Sequence, residues 1–406
     1  MRKPLYHGYN IVGAGFLIQA AGGGALATYG VFFTHLQAEF DWSRAAISGA
    51  TSITILLMGT GAILVGRLND RIGPRLILYT SGLLLGVGYV LMFQLQHLWQ
   101  LYAAIGVVVG MGMSTQDVVI LSTIARWFER RRGMMGGIVK TGTGLGQLAF
   151  PIVIAVLIAA YGWRHAYLLM GLSVLVMAMG MAHLFRRDPS SAGQVAIGRQ
   201  AAAVALKTDA EEGVTSSAGV KTRQFWFLCV SEFTLSFCIM TTLVHLVPHA
   251  QDGGVSVGRA GLLVSVIGAS SIISRLAMGS ASDSMGSRRA FSVCFGVLLL
   301  GLLWLQVANS MWMLVIYAVA DGFARGGNFA VISPLVAELF GTRSHGALFG
   351  LATFVGTIGG ALGPVLTGRI FDTTGSYDIA FALLAGLIAI GFVLTLLIRP
   401  LPERQA

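Results

Sequence analysis

Apolar segments of about 20 residues recur along the whole chain, a length that spans roughly 30 Å of hydrocarbon as an α-helix. Inside a bilayer every backbone hydrogen bond must be made within the protein, so only helices or a closed barrel can cross it. Hydrophobic residues make up 55% of the 406 residues and charged residues only 11%, against roughly a quarter in soluble domains. The sequence therefore predicts an all-α membrane protein.

Twelve spans are predicted, six in each half of the chain. They cover residues 10–33, 45–67, 75–95, 100–125, 136–160, 166–185, 224–248, 260–280, 289–308, 312–337, 347–370 and 379–398. The first span is too long for a cleaved signal peptide, and we expect it to remain as the first helix. We expect an N-terminal bundle over 1–187, a polar cytoplasmic linker over 188–223 and a C-terminal bundle over 224–406.

A Gly-x-x-x-Asp-x-x-Gly-x-Arg pattern occurs at residues 66–75 and again at residues 279–288, and a set of Gly and Pro positions repeats with the same offset in residue number. The paired positions are Gly66 and Gly279, Asp70 and Asp283, Gly73 and Gly286, Arg75 and Arg288, Gly133 and Gly346, Gly137 and Gly350, Gly146 and Gly359, and Pro151 and Pro364. Similarity at one fixed offset indicates two homologous halves. Positions where the halves differ in charge are therefore candidates for function.

The net charge of +10 reflects membrane topology. With the N-terminus in the cytoplasm, 20 of the 27 Lys and Arg residues lie at or beyond the cytoplasmic ends of the spans, four lie at or beyond the external ends, and three lie deep within spans. This is the positive-inside distribution, which predicts two cytoplasmic termini and does not indicate nucleic-acid binding.

Residues 66–75 resemble the signature between helices 2 and 3 of the major facilitator superfamily, and residues 279–288 resemble its weaker second copy. The resemblance implies a substrate cavity near the bilayer midplane between two six-helix bundles, opened alternately to each side. It also implies a cytoplasmic charge network, containing Asp70 and Arg71, that latches the outward-open state. A tight turn anchored by positive charge is the alternative interpretation. The predicted gating residues are Gly66, Asp70, Arg71, Gly73, Arg75, Asp283, Gly286 and Arg288.

Four stretches are similar to the monocarboxylate-porter and oxalate/formate-antiporter branch: residues 127–133, 274–275, 337–341 and 363–377. Arg275 matches the helix-8 arginine that binds the carboxylate in animal members. Where those members carry an aspartate four residues earlier the chain has Ser271, and their helix-1 lysine aligns with Ala27. The usual proton-coupling pair of the family therefore does not carry over.

Six charged residues lie well inside predicted spans, away from the ends, where each costs on the order of 3 kcal/mol or more unless it has a partner, water or a function. They are Asp117, Lys140, Glu232, Arg275, Asp321 and Arg325. None has a charged counterpart in the other half; Glu232 corresponds to Gln19. Depth predicts a salt bridge between Asp117 and Lys140, and a spacing of four predicts one between Asp321 and Arg325. Either pair is open to a purely structural interpretation.

Arg275 has no acid at helical spacing in its own helix, and a guanidinium donates two parallel hydrogen bonds to a carboxylate. We therefore expect Arg275 to anchor an anion, with Arg325 as second choice. Burial favours the protonated form of a carboxyl group, so Glu232 and Asp321, and thirdly Asp117, are the candidate proton carriers. Further candidate substrate ligands are Lys140, Asn328, Gln19, Tyr29 and Gln116, although the neutral ones are equally suited to join helices.

No arrangement of catalytic residues is apparent, and no metal or other cofactor is expected. Residues 142–146 are rich in glycine but follow no strand, so they do not indicate nucleotide binding. The sequence predicts a monomeric secondary transporter of the inner (plasma) membrane that moves a small organic anion, such as lactate or pyruvate, with protons. Anion exchange, proton-driven efflux of amphipathic compounds and a sensor without transport are the alternatives.

Overall fold

The computed structural model describes residues 6–197 and 213–399, and nearly all of them are helical, which confirms the all-α prediction. Ten segments are long and apolar enough to cross a membrane. One of them, Arg132–Ala182, contains two consecutive helices, and Met311–Phe340 is a further helix of 30 residues. The described residues thus contain twelve long helices. They are α1 (His7–Ala27 and Tyr29–Phe40), α2 (Arg44–Ile72), α3 (Pro74–Leu91), α4 (Leu98–Trp127), α5 (132–161), α6 (163–182), α7 (Arg223–Asp252), α8 (Val257–Met285), α9 (Ser287–Leu305), α10 (Met311–Phe340), α11 (His345–Thr374) and α12 (Asp378–Leu397).

Single glycines separate three pairs of consecutive helices. Gly73 (φ 85°) lies between α2 and α3, and its repeat counterpart Gly286 (φ 89°) lies between α8 and α9. Gly162 (φ 79°, ψ 161°) is the one non-helical residue between α5 and α6, where the sequence had predicted a loop over 161–165. A side chain disfavours positive φ, whereas glycine adopts it freely. Backbone geometry therefore accounts for the second glycine of each repeated signature.

Helix α4 is irregular at two places. Residues Tyr102–Val109 form π-helical turns, which are rare and often occur near functional sites. The α-helical hydrogen bonding is interrupted again at residues 114–115, and a new helical section begins at Gln116. Asp117 therefore lies in the first turn of a helical section, close to the positive end of its dipole.

The described residues form two compact units. The first contains residues 6–130, 138–197 and 345–350, and the second contains residues 131–137, 213–344 and 351–399. The start of α5 thus packs within the second unit and the start of α11 within the first. The middle of the predicted linker, residues 198–212, lies outside the described residues.

Glycines of the repeated signatures allow close helix crossings in both units. In the first unit, a Cβ on Gly346 would lie 2.7 Å from the carbonyl oxygen of Gly66. In the second unit, a Cβ on Gly137 would lie closer than 3.0 Å to the carbonyl oxygen of Arg275. The crossing at Gly137 has a repeat counterpart in the first unit, where Gly350 approaches the carbonyl of Ala62 in the same way. Close packing therefore explains these glycines.

Two residues within the predicted linker, Ile197 and Gly213, pair with the turns that follow α4 and α10. Ile197 forms an isolated β-bridge with Phe128, and Gly213 forms one with Gly341. The backbone N–H of Ile197 donates to Trp127 O at 3.2 Å. Phe128 and Gly341 are counterparts in the repeat, so these two linker residues pair with equivalent positions of the two halves.

Candidate functional site

Arg275 lies on α8 and is 5% exposed. Its guanidinium carbon lies 5.4 Å from the centroid of the Phe329 ring on α10, a geometry in which the ring attracts the cation and orients its plane. Ser271 lies one turn away on the same helix face and is also buried. Its Oγ has no hydrogen-bond partner among the described residues, so this hydroxyl is available to bind a ligand beside the arginine.

Glu232 on α7 and Asn328 on α10 form a second buried contact in the same unit. Asn328 Nδ2 donates to Glu232 Oε2 at 3.3 Å, and both side chains are 5% exposed or less. The remaining oxygens, Glu232 Oε1 and Asn328 Oδ1, have no hydrogen-bond partner within the described ranges. Buried polar atoms without partners are uncommon in proteins, and each calls for an explanation such as a ligand or a proton.

Asp321 and Arg325 form the ion pair that their spacing predicted. Arg325 Nη2 lies 3.0 Å from Asp321 Oδ2 and also donates to Ile239 O at 2.6 Å. Asp321 Oδ1 accepts from Thr242 Oγ1 at 2.8 Å. These contacts join α10 to α7 and neutralise both charges locally, whereas Asn328, one turn on, bonds to Glu232 instead.

The predicted pairing of Asp117 with Lys140 is also confirmed. Lys140 Nζ donates to Asp117 Oδ1 at 2.7 Å, and Gln19 Nε2 donates to the same oxygen at 2.7 Å. Thr143 Oγ1 donates to Gln19 Oε1 at 2.7 Å. The first unit therefore contains a polar cluster, Gln19, Asp117, Lys140 and Thr143, that joins α1, α4 and α5.

Two neutral candidates from the sequence have different surroundings. Tyr29 donates its hydroxyl to Ile47 O at 2.7 Å, so it links α1 to α2. Gln116 is 3% exposed and packs against Gly22 on α1. Its Nε2 has no hydrogen-bond partner in the part of the chain that the structure describes. Gln116 thus retains a donor for a ligand.

The motif aspartates bind the starts of two helices. In the first unit, Asp70 accepts from the backbone N–H groups of Gly346 at 3.3 Å and Ala347 at 3.1 Å. In the second unit, Asp283 accepts from Gly133 and Met134, both at 2.8 Å. A carboxylate at a helix N-terminus satisfies free N–H groups and complements the helix dipole. The two caps are counterparts of each other in the repeat.

The charge network at Asp70 is built with a residue that sequence reasoning missed. Arg126 at the end of α4 lies 3.1 Å from Asp70 Oδ1 and 3.4 Å from Asp188 Oδ1. Arg71, expected in this network, is exposed and makes none of these contacts. Arg126 lies near Asp70 because their helices pack together. Neither the spacing of the two residues in the sequence nor the repeat predicts this contact.

The other signature arginines bind locally. Arg75 Nη2 lies 2.6 Å from His183 Nδ1, and Arg288 Nη1 donates to Ile398 O at 3.0 Å. These contacts fix the starts of α3 and α9. Residues 66–75 and 279–288 thus combine helix capping, close packing and local hydrogen bonds.

One histidine on α7 has both ring nitrogens engaged. His245 Nε2 lies 2.9 Å from Pro364 O, and Nδ1 lies 3.1 Å from Tyr377 Oη. A carbonyl only accepts, so Nε2 carries the proton and Nδ1 accepts from the tyrosine. Burial raises the pKa of Tyr377, and Asp252 and Asp372 raise it further, so the phenol keeps its proton and can donate.

Sequence comparison identifies the family. The sequence model of the Major Facilitator Superfamily matches residues 15–255 and 225–406. Monocarboxylate transporter 13 of Rattus norvegicus is 30% identical over 395 residues, which cover 95% of this chain and 87% of the rat protein. Human Monocarboxylate transporter 11 is 27% identical over 411 residues, covering 98% and 84% respectively.

Solved structures show the same fold. The human organic anion transporter MFSD10 superposes with a TM-score of 0.75 at 16% identity, covering 97% of this chain and 100% of its own. The E. coli fucose:proton symporter FucP superposes with a TM-score of 0.73 at 13% identity and the same coverage. The chain therefore belongs to the major facilitator superfamily, as a multi-pass membrane transporter that resembles the monocarboxylate transporters and is not an enzyme.

Proposed function

We propose that the chain is a secondary transporter of a small organic anion, a monocarboxylate such as lactate or pyruvate, coupled to protons and operating by alternating access. We place it as a monomer in the inner (plasma) membrane with both termini in the cytoplasm, following its distribution of Lys and Arg. The relatives named monocarboxylate transporters support the substrate class.

The observation that carries the proposal is a buried arginine whose surroundings have unused polar atoms. Arg275 is a permanent cation, and its planar fork suits a carboxylate. On the same three helices, α7, α8 and α10, Glu232 Oε1, Ser271 Oγ and Asn328 Oδ1 make no hydrogen bond to a described residue. A carboxylate at Arg275 would bring an acceptor for the Ser271 hydroxyl into this region, and a protonated Glu232 would turn Oε1 into a second donor.

Arg325 is the weaker candidate for the anion anchor. Its charge is balanced by Asp321 at 3.0 Å, and one of its nitrogens is bonded to Ile239 O. Binding an anion there would first break a buried ion pair, and the carboxylate left behind would be costly. Arg275 therefore remains the proposed anchor and Arg325 the second choice.

Glu232 is the proposed proton carrier of this region. Its single described contact is with the neutral amide of Asn328, so no cation among its hydrogen-bond partners stabilises the ionised form. A buried carboxyl in such surroundings is most stable when protonated. Arrival of an anion at Arg275 would favour that proton further, so proton and substrate would bind together. Asp321 is the alternative carrier.

The decisive experiment is uptake of labelled lactate, pyruvate and other short carboxylates into proteoliposomes, with and without an inward proton gradient. We expect Arg275→Ala to abolish uptake and Arg369→Ala, which removes an exposed arginine of the same unit, to leave it intact. Undiminished uptake by folded Arg275→Ala would remove the central assignment.

Coupling is tested with Glu232→Gln and Asp321→Asn. The variant that lacks the proton carrier should retain exchange of labelled for unlabelled substrate and lose its response to the proton gradient. Unchanged gradient dependence in both variants would refute the assignment of carriers. Wild-type exchange without gradient dependence would identify an anion exchanger, and transport of amphipathic cations would identify an efflux pump.

A further inference from the structure

In the polar cluster of the first unit, the lysine is buried and the aspartate is partly exposed. The Lys140 side chain is 5% exposed, whereas that of Asp117 is 41% exposed. Lys140 and Gln19 both donate to one oxygen of this carboxylate, Oδ1. The ammonium therefore lies behind the aspartate, and the carboxylate is the part of the pair that a proton from outside can reach.

The fold itself does not require this pair. The repeat counterparts of Asp117 and Lys140 are Ala330 and Thr353, so the equivalent positions of the other half carry no charge. Burying charges is costly, and a buried ion pair often stabilises a protein no more than apolar residues of similar volume. Its presence in one half only points to a role in binding.

Further donors face the same part of α1. Gln19 and Gly22 are three residues apart on α1 and share a face. Asp117 bonds to Gln19, and Gln116 packs against Gly22 with its Nε2 unbonded to any described residue. Gln116 and Asp117 also begin the second helical section of α4, where the helix dipole favours negative charge. The region thus offers an ammonium and two amides to an anion.

No other Asp, Glu, Lys, Arg or His lies at this depth in α1 to α6. Among residues 10–33, 45–66, 76–95, 100–125, 136–160 and 166–182 of α1 to α6, Asp117 and Lys140 are the only Asp, Glu, Lys, Arg or His. Gln19 and Thr143, which complete the cluster on α1 and α5, are neutral. Asp117 is therefore the one acid of these segments that can take up a proton beside Lys140.

We propose that this cluster is an anion site that opens when Asp117 is protonated. The neutral carboxyl no longer holds Lys140, and the ammonium, with the amides of Gln19 and Gln116, binds a small anion, either a carboxylate or a halide. One proton moves from water to Asp117 as one anion enters, so the net charge of the cluster is unchanged. The site rests on the proposed function only in that the chain carries anions.

Binding is measured on the purified full-length protein carrying Arg275→Ala, so that the proposed anchor of the second unit does not contribute. Chloride and lactate are titrated separately by calorimetry in weakly buffered solution, at acidic and neutral pH, with proton uptake recorded. We expect tighter binding at acidic pH and, at neutral pH, uptake of one proton per anion. Binding of chloride alone identifies a halide site, and binding of lactate identifies a substrate site. Binding of neither overturns the proposal.

Substitutions test the anion-binding role of Lys140 and the proton-binding role of Asp117 separately. Lys140→Ala should weaken binding roughly tenfold or more, as expected for a lost charge-assisted hydrogen bond, whereas Lys140→Arg should retain it. Lys221→Ala, which removes an exposed lysine, is the matched control. Asp117→Asn should bind at neutral pH without proton uptake. Proton uptake that persists in Asp117→Asn, or full affinity in Lys140→Ala, would contradict the proposal.

Two precautions keep the test decisive. If Lys140→Ala does not fold, Asp117→Ala combined with Lys140→Ala removes both charges together, and intact anion binding by this double variant overturns the site. If no anion binds at Lys140, the uptake test of Arg275 is unaffected. Conversely, a protein that binds anions at Lys140 but transports none would contradict the proposed function alone.

Discussion

The close approach of α5 to α8 predicts a sharp difference between two glycine-to-alanine variants. In Gly137→Ala the new Cβ would lie closer than 3.0 Å to the carbonyl oxygen of Arg275, whereas ordinary contact begins at 3.4 Å. The obstacle is backbone and cannot rotate away as a flexible side chain would, so the two helices must move apart. Gly268 on α8 has nothing within 4 Å of an added Cβ.

The expected magnitude follows from two opposing effects. Alanine in a helix stabilises by about 0.5–1 kcal/mol relative to glycine, and this gain applies to both variants. Overpacking costs about 1–3 kcal/mol and applies only at Gly137. The free energies of unfolding of Gly137→Ala and Gly268→Ala should therefore differ by about 1–3 kcal/mol, which thermal unfolding of the detergent-solubilised protein resolves as a lower midpoint for Gly137→Ala.

The repeat provides a second comparison. A Cβ on Gly350 would meet the carbonyl of Ala62, so Gly350→Ala should be destabilised like Gly137→Ala. Only Gly137 packs against the backbone of Arg275, and we expect only that variant to bind the transported anion more weakly when corrected for folded fraction. A Gly137→Ala protein that unfolds at or above the midpoint of Gly268→Ala would refute the close approach.

Two further predictions concern backbone geometry and helix capping. Gly162→Ala places a side chain at φ 79° and ψ 161°, so it should lower the free energy of unfolding by about 1–3 kcal/mol. Gly180→Ala in α6, which has open space around it, should not lower it. Equal unfolding midpoints of the two variants would contradict this. Asp283→Asn and Asp70→Asn each remove the charge from a helix N-terminus and should each lower the free energy of unfolding by about 0.3–1 kcal/mol. Thermal unfolding at low and high salt checks this, because the loss should shrink as salt screens the dipole.

Much of the fold could be predicted because the membrane restricts the alternatives. The twelve spans follow from the apolar segments, and depth and spacing correctly paired Asp117 with Lys140 and Asp321 with Arg325. These pairs need only helix geometry, since each partner lies on the same or the next helix. Hydrophobicity and the regular rise of the α-helix are sufficient for such contacts.

Contacts between distant helices were not predictable in this way. The ion pair of Arg126 with Asp70 and the hydrogen bond of Asn328 to Glu232 depend on helix rotation and tilt, which packing sets and hydropathy does not record. The β-bridge of Ile197 to Phe128 uses backbone atoms, so no side-chain pattern signals it. In place of the predicted loop over 161–165 the chain has one non-helical residue, Gly162, because a single glycine at positive φ is enough to separate two helices.

The reciprocal caps have an evolutionary consequence. Asp70 binds the helix that begins near Gly346, and Asp283 binds the helix that begins near Gly133, so each half of the repeat supplies the aspartate for a helix of the other. A free half-length ancestor could satisfy both caps only by pairing with a second copy through a twofold, self-complementary contact. Joined in one chain, the two halves make both caps within one molecule, and each half can carry charges that the other lacks.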